Sequence, residues 1–418
     1  MTPQEYLKSY GVKAKNAVNS LANSTVSMRN KVLHKICELI EKEKSIIFAE
    51  NSKDLLHAEE KGLSIAMIDR LRLSQKQISE MITGLKQLVE LEEFSNKTVS
   101  TYIREDGIKI QKILVPLGVI GIIYESRPNV TIDAAGLCIK SGNVCILRGG
   151  SEAINSNRAL TRLIRQALKL CELDENSVQL VDNTDREIAS ELMRSRSFLD
   201  LLIPRGGSSL IKSVIQNATV PVIETGAGNC HIYVEKDADF EMAINIITNA
   251  KVQKPSVCNA VEKILIDRVI AKEFIPLLVE KLISVGVEIR GCEEATALCS
   301  SVLLANEDDW HKEYNDLVIA IKVVSGIGEA ITRIEKYSTK HSEAIITENA
   351  MQANAFLQAV DSSAVYHNVS TRFSDGFEFG MGAEIGISTQ KLHARGPMGL
   401  RELYTTKYIV TGSGQIRK

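Results

Sequence analysis

Up to about residue 95 the apolar positions recur at helical spacing. In the clearest run, Ile78, Met81, Ile82, Leu85, Leu88 and Val89 follow Ser74 along one inward face. Thr2, Pro3 and Glu5 form a capping-box start with proline at the first helical position, and Ser74 with Gln77 repeats the box. These segments predict scaffold helices. The period then changes to two over Val99 to Arg104 and Ile108 to Val115, with Asp106-Gly107 between them, which predicts a hairpin. Two strands are marginal in water, so a further element or a second subunit is expected to cover the ribbon.

From Val119 to Thr225, strand-like runs alternate with helix-like ones: Val119 to Tyr124, Val144 to Leu147, Val178 to Val181, Leu199 to Ile203 and Pro221 to Glu224. This rhythm predicts a parallel sheet with helices on both faces, whose ligands bind at the carboxyl ends of the strands. Two loops fall at such ends, Arg148-Gly149-Gly150-Ser151 and Arg205-Gly206-Gly207-Ser208. Each puts glycines and a capping serine at a helix start, where free amides and the dipole favour a phosphate. One such loop alone reads as a turn and a cap; two at equivalent strand ends point to a cofactor. The Gly-x-Gly-x-x-Gly fingerprint is absent, so a dinucleotide would bind differently from the usual Rossmann mode. A second α/β unit follows, with strands predicted at Cys230 to Val234, Val261 to Ile266, Leu317 to Ile321, Glu343 to Thr347 and Ala364 to His367.

Length and charge narrow the class. A chain of 418 residues exceeds what one core usually serves, so two or three domains are expected. Fifty basic residues against 52 acidic ones give a net charge of -2, which points away from nucleic acid and from an anionic membrane surface. No apolar stretch approaches the ~20 residues of a membrane span, and the polar N-terminal helix is unlike a leader, so a cytoplasmic protein is expected.

Eight cysteines lie scattered without a Cys-x-x-Cys pair, which fits neither a zinc site nor a disulfide scaffold, and no metal is expected. Cys37 and Cys145 read as small core residues. Cys258 differs, because it sits in the polar loop Lys251 to Ala260 at the mouth of a sheet domain, flanked by Lys254 and Asn259. A thiolate there would be a strong nucleophile, but local sequence leaves that reading and a plain loop cysteine balanced.

Further motifs carry a resemblance. Val115-Pro-Leu-Gly-Val-Ile-Gly-Ile-Ile-Tyr-Glu-Ser-Arg-Pro-Asn129, Leu202-Ile-Pro-Arg-Gly-Gly207, Glu224-Thr-Gly-Ala-Gly-Asn-Cys-His231, Gln253-Lys-Pro-Ser-Val-Cys-Asn259, Ser370-Thr-Arg-Phe-Ser-Asp-Gly-Phe-Glu-Phe-Gly380 and His393-Ala-Arg-Gly-Pro-Met-Gly399 resemble the gamma-glutamyl phosphate reductase family. Also called glutamate-5-semialdehyde dehydrogenases, these enzymes form a branch of the aldehyde dehydrogenase superfamily, and the likeness runs essentially end to end. It implies an aldehyde dehydrogenase-like fold: two α/β sheet domains plus a small β oligomerisation element. The cofactor domain is expected at residues 1–97 and 115–228, and the catalytic domain with Cys258 at 229–400. The oligomerisation element, at 98–114 and 401–418, would account for the uncovered ribbon.

The resemblance also implies NADPH-dependent reduction of L-glutamyl 5-phosphate to L-glutamate 5-semialdehyde and phosphate, the second step of proline biosynthesis. Cys258 would carry the acyl group as a thioester, and Asn129 matches the asparagine that stabilises the oxyanion. By sequence alone Asn129 reads as a turn residue after Pro128. Arg148 follows the strand that the superfamily places near the adenosine ribose, so a 2'-phosphate contact favours NADP(H) over NAD. Arg127, Arg372 and Arg395 are candidates for binding the substrate's carboxylate and phosphate. His341 in Lys340-His341-Ser342-Glu343 reads as a packed side chain. Glu224 lies near the position where aldehyde-oxidising relatives keep a water-activating base. Hydrolysis gains nothing for this reaction, so Glu224 is not assigned to catalysis. The alternative is a hydrolytic NAD(P)-dependent aldehyde dehydrogenase, with Glu224 as base. The expected partners are a small-molecule substrate, a second copy of the chain in a dimer or tetramer, and glutamate 5-kinase, which makes the labile acyl phosphate. No residue marks a surface for that kinase.

Overall fold

Five helices open the chain: α1 (Pro3–Ala22), α2 (Val26–Lys42), α3 (Lys44–Glu60), α4 (Ile65–Leu71) and α5 (Gln75–Glu90). Both predicted capping boxes are present: Glu5 Oε2 accepts from the Thr2 amide at 2.8 Å, and Gln77 Oε1 accepts from the Ser74 amide at 3.1 Å. Ile78, Met81, Leu85 and Leu88 of α5 are buried, as their spacing predicts. The computed structural model describes residues 2–417, with the side chains of Ala66 and Ser208 outside the description.

The hairpin follows as β1 (Thr98–Ile103) and β2 (Lys109–Pro116), with Gly107 at φ +84° in its turn. The strand Tyr404–Thr411 pairs antiparallel with the other edge of β2, from Tyr404 opposite Pro116 to Thr411 opposite Lys109. The result is a three-stranded sheet.

The first α/β run is β3 (Val119–Tyr124), α6 (Asn129–Ser141), β4 (Val144–Arg148), α7 (Ile154–Leu170), β5 (Val178–Leu180), α8 (Arg186–Arg194), β6 (Leu201–Arg205) and α9 (Ser208–Asn217). Its four strands are parallel, in the order β5-β4-β3-β6. Pro221 to Glu224, predicted as a strand, only brushes the β6 edge. Leu202 donates to the Pro221 carbonyl, Ile223 donates to that of Leu202, and one bridge forms between Leu202 and Val222.

The second run is β7 (Cys230–Val234), α10 (Phe240–Val252), β8 (Val261–Asp267), α11 (Arg268–Ser284), β9 (Glu288–Gly291), α12 (Glu293–Leu298), β10 (Leu303–Leu304), α13 (Glu307–His311), β11 (Val318–Val324), α14 (Ile327–Tyr337), β12 (Ser342–Ile346), α15 (Ala350–Ala359) and β13 (Ala364–His367). They make a seven-stranded parallel sheet in the order β10-β9-β11-β8-β7-β12-β13. β9 and β10 were not predicted. Contacts group the chain into two units, Met1–Thr225 with Gly380–Gly386 and Met398–Lys418, and Gly226–Phe379 with Ile387–Pro397. Each has its own core: Ile123, Ile146, Leu192 and Leu202 belong to that of the first, Ile232, Ile264, Phe274 and Ile321 to that of the second. Among the described residues no helix is long and apolar enough to cross a membrane.

Candidate active site

In the second unit, α10 ends and the loop to β8 carries Cys258. Six cysteines are buried, including Cys37 and Cys145, whereas Cys258 and Cys299 remain half-exposed; all eight are free thiols. The backbone at Cys258 is held from several sides. Gly228 passes so close that a Cβ there would lie 1.4 Å from the Cys258 carbonyl oxygen, so only glycine fits. The Cys230 thiol donates to that same carbonyl at 3.2 Å. Downstream, the Asn259 carboxamide donates to the carbonyls of Ser374 at 2.9 Å and Arg372 at 3.3 Å, and Thr371 donates to the Asn259 carbonyl at 2.7 Å. The nucleophile candidate is thus preorganised by packing and hydrogen bonds.

Cys230 is fully buried, and burial pushes its thiol well above the usual range, so it remains a protonated donor. Beyond it runs a buried polar chain. Cys230 Sγ lies 3.9 Å from His341 Nδ1, His341 Nδ1 is 2.8 Å from Ser342 Oγ, Ser342 bonds Ser374, and Ser374 bonds the Tyr366 hydroxyl at 2.6 Å. His341 is therefore a packed, hydrogen-bonded residue.

Of the candidate arginines, Arg372 lies beside the thiol. It bonds Asn259 Oδ1 and donates from Nε to Gln253 Oε1 at 2.9 Å. Burial pulls its guanidinium below the usual range, while negative charge at Asp375 and at the Cys258 sulfur acts the other way. Arg395 instead pairs with Asp361 at 2.8 Å, and Arg127 is exposed on the loop after β3.

In the first unit, β3 runs through Glu125 and Ser126, the latter at φ +45°, to Asn129 at the start of α6. The Asn129 carboxamide donates to Asp133 Oδ2 at 3.0 Å. Both Arg-Gly-Gly-Ser loops lie at strand ends, as predicted, but each is met by carboxylates that the sequence did not announce. At the first, Glu152 accepts from the Ser126 amide and hydroxyl, both at 2.8 Å, and a Cβ on Gly150 would run into its carboxylate. The start of α7 is capped by Asp54 of α3, which accepts from the amides of Asn155 and Ser156 at 3.1 and 2.8 Å. At the second loop, Glu125 Oε2 accepts from the Gly207 amide at 2.8 Å and crowds Gly206. Gly149, Gly150 and Gly206 are thus demanded by the protein's own side chains, since Asn157 fills the space at Gly149. A phosphate at either helix start would meet a carboxylate. Ser151 is exposed, and the side chain of Ser208 lies outside the description.

Arg148 donates from Nη2 to the Thr184 carbonyl at 2.9 Å, while its buried Nε has no hydrogen-bond partner among the described residues. Burial lowers its pKa, opposed by Glu152 and Glu125. Among the described residues no cluster of His, Cys, Asp or Glu could hold a metal ion.

Residues 4–315 match the model of the aldehyde dehydrogenase family. The chain belongs to this family. Within it, the chain belongs with the gamma-glutamyl phosphate reductases. It is 54% identical to that of Caldanaerobacter subterraneus over 97% of this chain and 98% of the relative, and 55% identical to that of Clostridium botulinum Eklund 17B over the same shares. The crystal structure of gamma-glutamyl phosphate reductase from Thermotoga maritima superimposes with a TM-score of 0.97 at 50% identity, covering 99% of this chain and 100% of that one. An acetylating aldehyde dehydrogenase from Geobacillus thermoglucosidasius, 16% identical with a TM-score of 0.71 over 100% of this chain and 98% of that one, shares the fold. The chain is an oxidoreductase of the aldehyde dehydrogenase fold, and family membership implies a nicotinamide cofactor.

Proposed function

We propose that this chain reduces L-glutamyl 5-phosphate to L-glutamate 5-semialdehyde and phosphate with NADPH, through a thioester on Cys258, as the second step of proline biosynthesis. The observation that carries the reading is the Cys258 loop. A half-exposed thiol stands on a backbone fixed by Gly228, Cys230 and Asn259, in a chain more than half identical to gamma-glutamyl phosphate reductases.

The Cys258 thiolate attacks the acyl carbon, a C–S bond forms, and the C–O bond to phosphate breaks with its electron pair leaving on phosphate. Asn129 and the Cys258 amide donate to the oxyanion. Arg372, beside the sulfur, offers a cation to the departing phosphate. A nicotinamide held by the first-unit loops would supply the hydride that reduces the thioester. Collapse of the thiohemiacetal then releases the aldehyde and returns Cys258 as thiolate.

The residues at the first-unit loops fit such a cofactor through its sugars as much as its phosphates. Glu125 and Glu152, which now accept from the Gly207 and Ser126 amides, would accept from ribose hydroxyls, whereas Arg148, with its orphaned Nε, would pair with a 2'-phosphate. The three-stranded sheet is assigned to self-association, because Tyr102, Ile110 and Val410 stand opposite one another across its strands, with Tyr102 and Val410 exposed. Glutamate 5-kinase as partner and the cytoplasm as location belong to the same reading.

The test is NADP reduction with glutamate 5-semialdehyde and inorganic phosphate by wild type and Cys258→Ala. Loss of turnover in the alanine variant is expected, and turnover surviving in it would reject the thioester.

A further inference from the structure

Asn129 opens α6 directly after Pro128, and one turn along the same helix Asp133 Oδ2 accepts from its carboxamide nitrogen at 3.0 Å. An aspartate is unexpected here: Asp133 itself is half-buried, and Val130, Thr131, Ile132, Ala134, Ala135 and Gly136 around it are all buried. Burial pushes its carboxyl up to about 6, against the pull of Asn129 and of Arg205 at the end of β6. A carboxyl kept at that cost calls for a use.

A carboxamide has two ends of opposite polarity and nearly the same shape. If the Asn129 oxygen faced the developing oxyanion, it would repel the charge it is meant to stabilise. An ionised carboxylate only accepts hydrogen bonds, so it can hold only the amino end. We infer that Asp133 is a positioning residue: by accepting one hydrogen of the Asn129 amino group, it fixes the carboxamide so that the second hydrogen is directed to the oxyanion. The inference rests on the assignment of Asn129 as oxyanion donor.

The experiment follows NADP reduction with glutamate 5-semialdehyde and phosphate by the full-length chain, for wild type, Asp133→Ala, Asp133→Asn, Asn129→Ala and the double alanine variant, with melting curves as the check on folding. Removing an oxyanion donor costs about 10²–10³-fold in kcat, and freeing it to turn is expected to cost about tenfold. Asp133→Ala is therefore expected to lower kcat about tenfold with KM for the semialdehyde little changed. Asp133→Asn, whose side-chain oxygen still accepts, retains most of the rate. In the Asn129→Ala background, Asp133→Ala costs nothing further, because its effect passes through Asn129.

Wild-type kcat in Asp133→Ala would overturn the inference. So would a loss confined to KM, which would make Asp133 a substrate contact, or an undiminished loss in the double variant. In each case, Cys258- and Asn129-dependent turnover would leave the proposed reaction standing. Wild-type kcat in Asn129→Ala would instead reject the donor assignment itself.

Discussion

The thiol of Cys230 donates a hydrogen bond to the carbonyl oxygen of Cys258 at 3.2 Å. Two cysteines thus share one site in different roles. Cys258 is half-exposed, whereas Cys230 is buried and held protonated. Iodoacetamide on the native enzyme is predicted to label Cys258 and abolish activity while Cys230 stays unmodified, as read by peptide mass spectrometry. Labelling of Cys230 before Cys258 would contradict this. Cys230→Ala, which strands the carbonyl, is expected to lower stability by about 1–3 kcal/mol, and Cys230→Ser, which keeps a donor, by less.

Gly228 and Gly84 make a matched pair. A Cβ at Gly228 meets the Cys258 carbonyl at 1.4 Å, whereas one at Gly84 in α5 meets nothing within 4 Å. Gly228→Ala is expected to displace the Cys258 loop and cut kcat more than tenfold. Gly84→Ala is expected to leave kcat alone and to raise stability by about 0.5–1 kcal/mol. Equal kcat values for the two variants would show that the close approach does not constrain the loop.

Asp133 links stability to pH. Its folded-state pKa, about 6, lies above the ordinary 3.8, so the folded chain holds this proton more tightly than the unfolded one. Stability from this group is therefore greatest in acid and falls as pH rises through about 4 to 6. Arg205 opposes the shift without cancelling it. Asp133→Asn, free of that cost, is predicted to be more stable than wild type at pH 8 by up to about 3 kcal/mol, with the gap closing near pH 4. Denaturant melts at the two pH values check this, and a gap that widens in acid would contradict it.

Arg148 sets a prediction on the cofactor. If its guanidinium pairs with a 2'-phosphate, Arg148→Ala is expected to raise KM for NADP about tenfold or more while KM for NAD changes little. Equal changes for both cofactors would show that Arg148 acts only on the loop it ties to Thr184.

Much of the frame was legible because the relevant signals are local. The alternating residues on either side of Asp106-Gly107, the capping boxes at Thr2 and Ser74, and the apolar runs of β3, β4, β7 and β8 each act within a few residues. β9 and β10 leave no clear pattern in the sequence because they are only four and two residues long and carry exposed or charged positions such as Glu288, Leu303 and Leu304. Pro221 to Glu224 reads as a strand, yet among the described residues it meets β6 through a single isolated bridge, Leu202 to Val222. In the candidate site, Cys258, Asn129 and the two glycine loops were visible as types and motifs. Their neighbours were not. Cys230 reads as a core strand residue until the fold sets its thiol on a carbonyl 28 residues away, and Glu125 meets the Gly207 amide across 82 residues. Asp133 is the exception that local reading could have caught, since an aspartate one turn after Asn129 on a buried helix is a period-four signal.

The most direct measurement is the steady-state rate of NADP reduction by the wild-type enzyme with glutamate 5-semialdehyde, taken with and without inorganic phosphate. In the proposed mechanism phosphate releases the acyl group from Cys258 in this direction, so the rate is predicted to rise with phosphate to saturation and to be nearly lost without it. An equal rate in the absence of phosphate would mean that water resolves the thioester, and would contradict the acyl-phosphate reductase.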